Sequence, residues 1–172
     1  GGGRTYFLPN TQADPEYAST KGRRTDGRNL ASEWVSAKPA RSYVWNKAGF
    51  DAVNPASTRQ LLGLFEPSHM KYEADRANDA AGEPSLADMT RKAIQILQKN
   101  RKGFYLMVEG GRIDHAHHAG NAYRALTDTI ALSEAVKVAK ELTGEDTLIV
   151  VTADHSHVFT IAGYPERGNP IL

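Results

Sequence analysis

Apolar and polar positions change rhythm several times along the chain. Within residues 84–100, Leu86, Met89, Ala93, Ile96 and Leu97 recur at the spacing of one helix face, behind a Ser85-Leu86-Ala87-Asp88 start that reads as a capping box. The rhythm then breaks. Phe104-Tyr105-Leu106-Met107-Val108 is a continuous apolar run, opened by Gly103 and closed by Glu109-Gly110-Gly111, the pattern of a strand buried on both faces. Helical spacing returns over 122–142, with Ala125, Leu126, Ile130, Leu132, Val136 and Ala139 predicted inward. Residues 147–152 read as a second buried strand, and strand, helix, strand in that order predicts a right-handed crossover into a parallel sheet.

The first half has weaker patterning. Residues 11–29 show little periodicity and read as loops. A helix is predicted over 29–37 with Leu30, Trp34 and Val35 on one side, then a short strand over 42–45. A second short helix is predicted over 55–62, because Asn54 suits an N-cap and Pro55 the first helical position. The class implied is α/β.

Composition narrows the function. At 172 residues and 40% apolar content, one core is expected. The balance of 21 basic and 20 acidic side chains provides no overall field to hold nucleic acid or an anionic membrane. The lack of cysteine removes disulfides, thiolate zinc sites and thiol nucleophiles, so any metal must be held by His and carboxylate. No apolar run approaches the roughly 18 residues of a spanning helix. A start on Gly1-Gly2-Gly3 without Met and a stop after Asn169-Pro170-Ile171-Leu172 read as a segment of a longer chain.

The chemistry concentrates in two short runs. Residues 109–118 hold Glu109, Asp114, His115, His117 and His118 within ten positions, although the chain has six histidines in all. On a helix, Asp114 and His118 at i, i+4 share a face and can reach one ion, and neutral imidazole with carboxylate suits zinc. Gly110 and Gly111 let the chain turn out of the preceding strand, which places Glu109 near the same point. The second run, Thr152-Ala153-Asp154-His155-Ser156-His157, stands at the end of the neighbouring predicted strand, where open parallel sheets bind ligands. One His-rich run alone also fits a solvated loop, but two such runs ending consecutive strands point to a metal site. His69 reads as a surface-loop residue, and Ser156 as a structural hydroxyl rather than a nucleophile. Two carboxylate and His sets on one sheet edge predict a binuclear centre, the arrangement that stabilises both oxygens of an in-line phosphoryl displacement.

At these residues the sequence resembles a known family. Val108-Glu109-Gly110-Gly111-Arg112-Ile113-Asp114-His115 with His117-His118, and Thr152 through His157, closely resemble the metal-binding motifs of alkaline phosphatases. Gly1-Gly2-Gly3-Arg4, Gly63-Leu64-Phe65-Glu66-Pro67, Ala122-Tyr123-Arg124-Ala125-Leu126-Thr127 and Gly163-Tyr164-Pro165 resemble its animal and related bacterial branch. The resemblance implies a mostly parallel sheet with helices on both faces, here a partial domain. Residues 1–172 are then one segment, with a loop-rich part at 1–83 and a βαβ core at 84–172 that carries the metal ligands.

The resemblance also implies roles. Asp114 and His118 correspond to ligands of a first zinc, Asp154 and His155 to ligands of a second, and Glu109 to a magnesium ligand. His157 matches an outer histidine that orients a zinc carboxylate. His115 and His117 are not ligands by this match. A fainter resemblance concerns a calcium-like site at Glu16, the Phe65 backbone carbonyl, Glu66 and Glu83, whose hard oxygens suit calcium. The family's serine nucleophile, its phosphate-binding arginine and further magnesium ligands are expected before Gly1, and a third ligand of the first zinc after Leu172. The expected function is a zinc- and magnesium-dependent phosphomonoesterase, acting on phosphate monoesters as a periplasmic or secreted homodimer, with Tyr164 near the dimer interface. The rivals are a non-catalytic metal-binding fragment and a phosphodiesterase or mutase sharing the two-metal fold.

Overall fold

The computed structural model describes residues 1–160, 163–164 and 166–169; Pro165 of the Gly163-Tyr164-Pro165 resemblance and residues 170–172 of the terminal run lie outside them. The element order is α1 (Leu30–Ser36), β1 (Arg41–Val44), α2 (Lys47–Ala52), β2 (Gln60–Gly63), α3 (Leu86–Leu97), α4 (Arg112–His118) and α5 (Ala122–Leu142). β1 and β2 run parallel, with Arg41 opposite Gln60 and Val44 opposite Gly63. The architecture is α/β, with a short sheet.

Most helix starts follow from local chemistry. Asn29, Asn46, Ser85 and Asn121 each cap a helix by accepting a backbone N–H three residues on, and Ser85 with Asp88 completes a reciprocal capping box. The predicted helices at 29–37, 84–100 and 122–142 stand as α1, α3 and α5, and the strand at 42–45 as β1.

The helix predicted over 55–62 is absent. The Asn54 side chain accepts from the Ala56 N–H at 2.9 Å, but this makes a local turn. Arg59 and Gln60 then donate to the Ala40 carbonyl, and the chain runs into β2. Pairing with β1 overrides the capping signal. The helix of this region is α2, capped by Asn46 instead.

The runs at 104–108 and 147–152 also differ from expectation, since among the described residues neither joins a strand ladder. A strand is stabilised by hydrogen bonds to its neighbours, and these two segments do not bond each other. Alternate apolar side chains are exposed, with Tyr105 88% and Leu148 86% accessible, while Phe104, Leu106 and Ile149 are half-buried. The inward face of α5 is likewise shifted. Leu126 and Ile130 are exposed, whereas Ala125, Asp128, Ala135 and Val138 are buried.

The core of the first half is Val44, Phe50 and Phe65, with Val53, Leu61, Met70 and Met89 against it and the Phe50 and Phe65 rings edge to face at 5.7 Å. Beside it Arg4 is completely buried. Its guanidinium donates to both Asp14 carboxylate oxygens at 2.7 Å, to Glu16 at 2.8 Å, and to the Leu64 and Trp45 carbonyls. Residues 72–76 join this half to α4 and α5. The Tyr72 ring lies under the guanidinium groups of Arg112 and Arg124, Arg124 pairs with Asp75 at 2.9 Å, and the buried Asp128 accepts from the Glu73 N–H. α5 packs on both α3 and α4, which fixes the helix bearing the histidines.

Candidate metal centre

The site is built on α4 and the segment after residue 152. Gly110 and Gly111 precede α4, and neither has the left-handed backbone expected of a hinge; Gly111 has φ −62°. Close packing explains Gly110 instead. A Cβ there would stand 3.0 Å from Ile113 Cδ1 and 3.4 Å from Leu132 Cβ, so its lack of a side chain lets the chain approach α5. At the other end Gly120, with φ +64°, terminates the helix. The Gly120 N–H bonds the His117 carbonyl and the Asn121 N–H that of Ala116, a Schellman end, and Asn121 then caps α5. Two residues therefore stop one helix and start the next.

Asp114 is the centre of the site. His118 Nε2 lies 3.5 Å from Asp114 Oδ2, one turn along α4. From the second run, His157 Nε2 and His155 Nε2 lie 3.2 and 3.6 Å from Asp114 Oδ1, and His155 Nε2 lies 3.6 Å from Asp154 Oδ2. Tertiary structure thus joins the two sequence runs. Asp114, His118 and His157 form a three-residue group able to offer one ion three ligand atoms.

These distances suit a metal better than hydrogen bonds. Asp114 Oδ1 is buried yet accepts no hydrogen bond from the described residues, although two imidazoles face it. Around a tetrahedral ion with bonds of about 2.0 Å, neighbouring ligand atoms stand about 3.3 Å apart, near the separations seen here. Two nitrogens and carboxylate oxygen are also the donor set zinc accepts. The residues fit the ion that the resemblance implies.

The other histidines are engaged differently. His117 Nδ1 donates to the Ile113 carbonyl at 2.8 Å, and its ring stacks on His157 at 4.9 Å. His115 Nδ1 accepts from Arg112 at 2.9 Å and its ring meets exposed His69 at 4.4 Å. Burial first, then the neighbouring His69 charge, pushes His115 below the usual imidazole range. His155 is shifted upward, by the Ser156 carbonyl at its ring nitrogen and then by Asp154. Glu109 is exposed, with its carboxylate over Gly111, and stands outside the Asp114 group.

A second carboxylate cluster lies at the loop-rich end. Oxygens of Glu16, Glu66 and Asp79 lie within 4.8 Å of one another. Glu83 is 2% exposed beside them, and burial, then the charges of Glu66 and Asp79, push its carboxyl up to about 7. Phe65 has its side chain in the core, which leaves its backbone as the part able to serve an ion. In the structure His157, an outer residue by the resemblance, lies within the Asp114 group, and Asp79, which no sequence pattern marks, lies within the carboxylate cluster. The His155-Ser156-His157 run carried a signal for the first, whereas Asp79 is an acid in a polar loop with no spacing to mark it.

Comparison with known proteins places the chain in a family. The family model described as alkaline phosphatase matches residues 1–172. The tissue-nonspecific alkaline phosphatase of Gallus gallus is 51% identical over 179 residues, covering 100% of this chain and 34% of its own length. A membrane-bound alkaline phosphatase of Bombyx mori is 48% identical over 177 residues, again covering all of this chain and 32% of its own. Among solved structures, Thermus thermophilus alkaline phosphatase superposes with a TM-score of 0.68 at 33% identity, over 82% of this chain and 26% of that one. The chain spans about a third of the length of the curated relatives it matches. Its motifs, its fold and a match along its whole length agree, and the chain belongs to the alkaline phosphatase family.

Proposed function

We propose that this chain supplies part of the two-zinc centre of a phosphatase that hydrolyses phosphate monoesters. The observation that carries the reading is the convergence of His118, His155 and His157 on Asp114 at 3.2 to 3.6 Å. Asp114 and His118 would hold one zinc, Asp154 and His155 the other, and Glu109 a magnesium ion. When bound, the zinc ions supply positive charge that stabilises the entering and leaving oxygens of an in-line phosphoryl displacement.

The chain's own residues act as a frame. α4 presents Asp114 and His118 on one face, and the Schellman end at Gly120 fixes that face against α5. His157 stands against the carboxylate of Asp114 and limits its rotation, an outer partner's role, while its place in the ligand group leaves it free to bind directly. No residue of this segment is assigned as the nucleophile. Glu16, the Phe65 carbonyl, Glu66 and Glu83 would hold calcium at a separate structural site. The same reading makes the protein a periplasmic or secreted homodimer, with fully exposed Tyr164 toward the partner.

The test is zinc content and p-nitrophenyl phosphate hydrolysis of the intact protein, with and without a chelator. Turnover that falls with zinc and returns on its addition supports the proposal. Bound zinc without any turnover favours a non-catalytic metal-binding module.

A further inference from the structure

Asp79 has both carboxylate oxygens buried without a hydrogen bond among the described residues, in a loop that leads into α3. Its neighbours share the condition. Glu16 Oε2 accepts from Arg4 at 2.8 Å, but its Oε1 is buried and has no partner among the described residues, with the side chain 5% exposed. Glu83 accepts the Lys71 N–H at Oε1, 2.7 Å away, and its buried Oε2 has no partner. Glu66 Oε1 meets the Lys71 ammonium at 2.9 Å.

The cations in contact do not balance these acids. Arg4 is shared between Asp14 and Glu16, and Lys71 between Glu66 and the Tyr17 hydroxyl. Buried carboxylate oxygens without donors are strongly unfavourable unless a cation meets them. Several acidic oxygens around one point, with no nitrogen or sulfur ligand, suit a hard ion of calcium type rather than zinc.

We infer that Asp79 is a direct ligand of the divalent cation at this site, which fastens the loop from Arg76 to Glu83 onto Glu16 and Glu66. The inference rests on the calcium reading above and adds a ligand to it. Asp79 follows the 3-10 turn Arg76–Asn78, and Gly82, with φ +71°, redirects the chain toward Glu83 and the Ser85 cap. The cation thus links the loop-rich half to the start of α3.

The test uses the intact protein stripped by chelator and titrated with Ca²⁺ alone, by calorimetry and by the calcium-induced rise in Tm. Asp79→Asn is expected to weaken Ca²⁺ binding at least about tenfold and to shrink that rise. Its cation-free Tm should equal or exceed that of the parent, because a like charge has been removed. Asp75→Asn, which alters a loop carboxylate paired with Arg124, should leave affinity unchanged. Parent-like binding by Asp79→Asn overturns the inference and leaves the calcium reading standing. A cation-free Tm well below the parent's assigns Asp79 a structural role and overturns it too. No Ca²⁺ binding by the parent overturns both.

Discussion

Asp114 acts through position, because a carboxylate at i and an imidazole at i+4 share one face of α4 whereas His115 and His117 point elsewhere. Residues adjacent in sequence therefore have separate fates. Asp154→Ala or His155→Ala in the intact protein should lower bound zinc and phosphomonoester turnover together. His117→Ala should leave zinc near the parent level and instead lower stability by about 1 kcal/mol, through loss of its bond to Ile113. Elemental analysis with chemical denaturation separates these outcomes; equal zinc loss in all three variants would refute the ligand assignment. The sequence showed which residue types were present, but the meeting of His157 with Asp114 depends on how residues 152–157 fold over α4.

At the scale of elements, capping groups decide where helices begin and end, and Gly120 among them bears on the site. Ser85→Ala removes a capping box and should lower stability by about 1 kcal/mol. Gly120→Ala forces a side chain into the left-handed region at the junction of α4 and α5, with a penalty of roughly 1 to 2 kcal/mol. Thermal denaturation measures both. Zinc affinity divides them, since Gly120→Ala shifts the frame of Asp114 and His118 and should weaken binding, whereas Ser85→Ala should not. Capping was legible because it is local. The Asn54-Pro55 signal failed because the β1 pairing of the residues that follow is a long-range interaction that no local pattern contains.

Across the whole molecule, Arg4 ties the amino-terminal turn to Asp14, Glu16 and the carbonyls that lead out of β1 and β2. Arg4→Met would leave Asp14 and Glu16 buried without their cation, and such a change lowers stability by about 3 to 5 kcal/mol. The pair also sets an acid response. Burial raises the Asp14 carboxyl, but the Arg4 hydrogen bond and the Glu16 and Tyr17 N–H groups outweigh it and hold it below the usual range. Folded Asp14 binds its proton less tightly than unfolded Asp14. Its stabilisation is therefore complete above about pH 4 and is lost as pH falls through the depressed folded value. Denaturation curves from pH 6 downward should show this loss in the parent and a smaller one in Arg4→Met.

The sequence by itself determined the helices with caps and 3.6-residue periodicity, the ligand types of the candidate metal centre, and the family, since each is carried by neighbours along the chain. Tertiary structure decided the rest. The apolar runs at 104–108 and 147–152 become strands only when hydrogen-bonded neighbours lie beside them, and apolar pattern alone supplies no such neighbour. The convergence of His155 and His157 on Asp114, and of Asp79 on Glu16 and Glu66, brings together residues far apart in sequence. Such distances are set by packing of α5 against α3 and α4 and by the Tyr72 clamp, contacts that no spacing along the chain encodes.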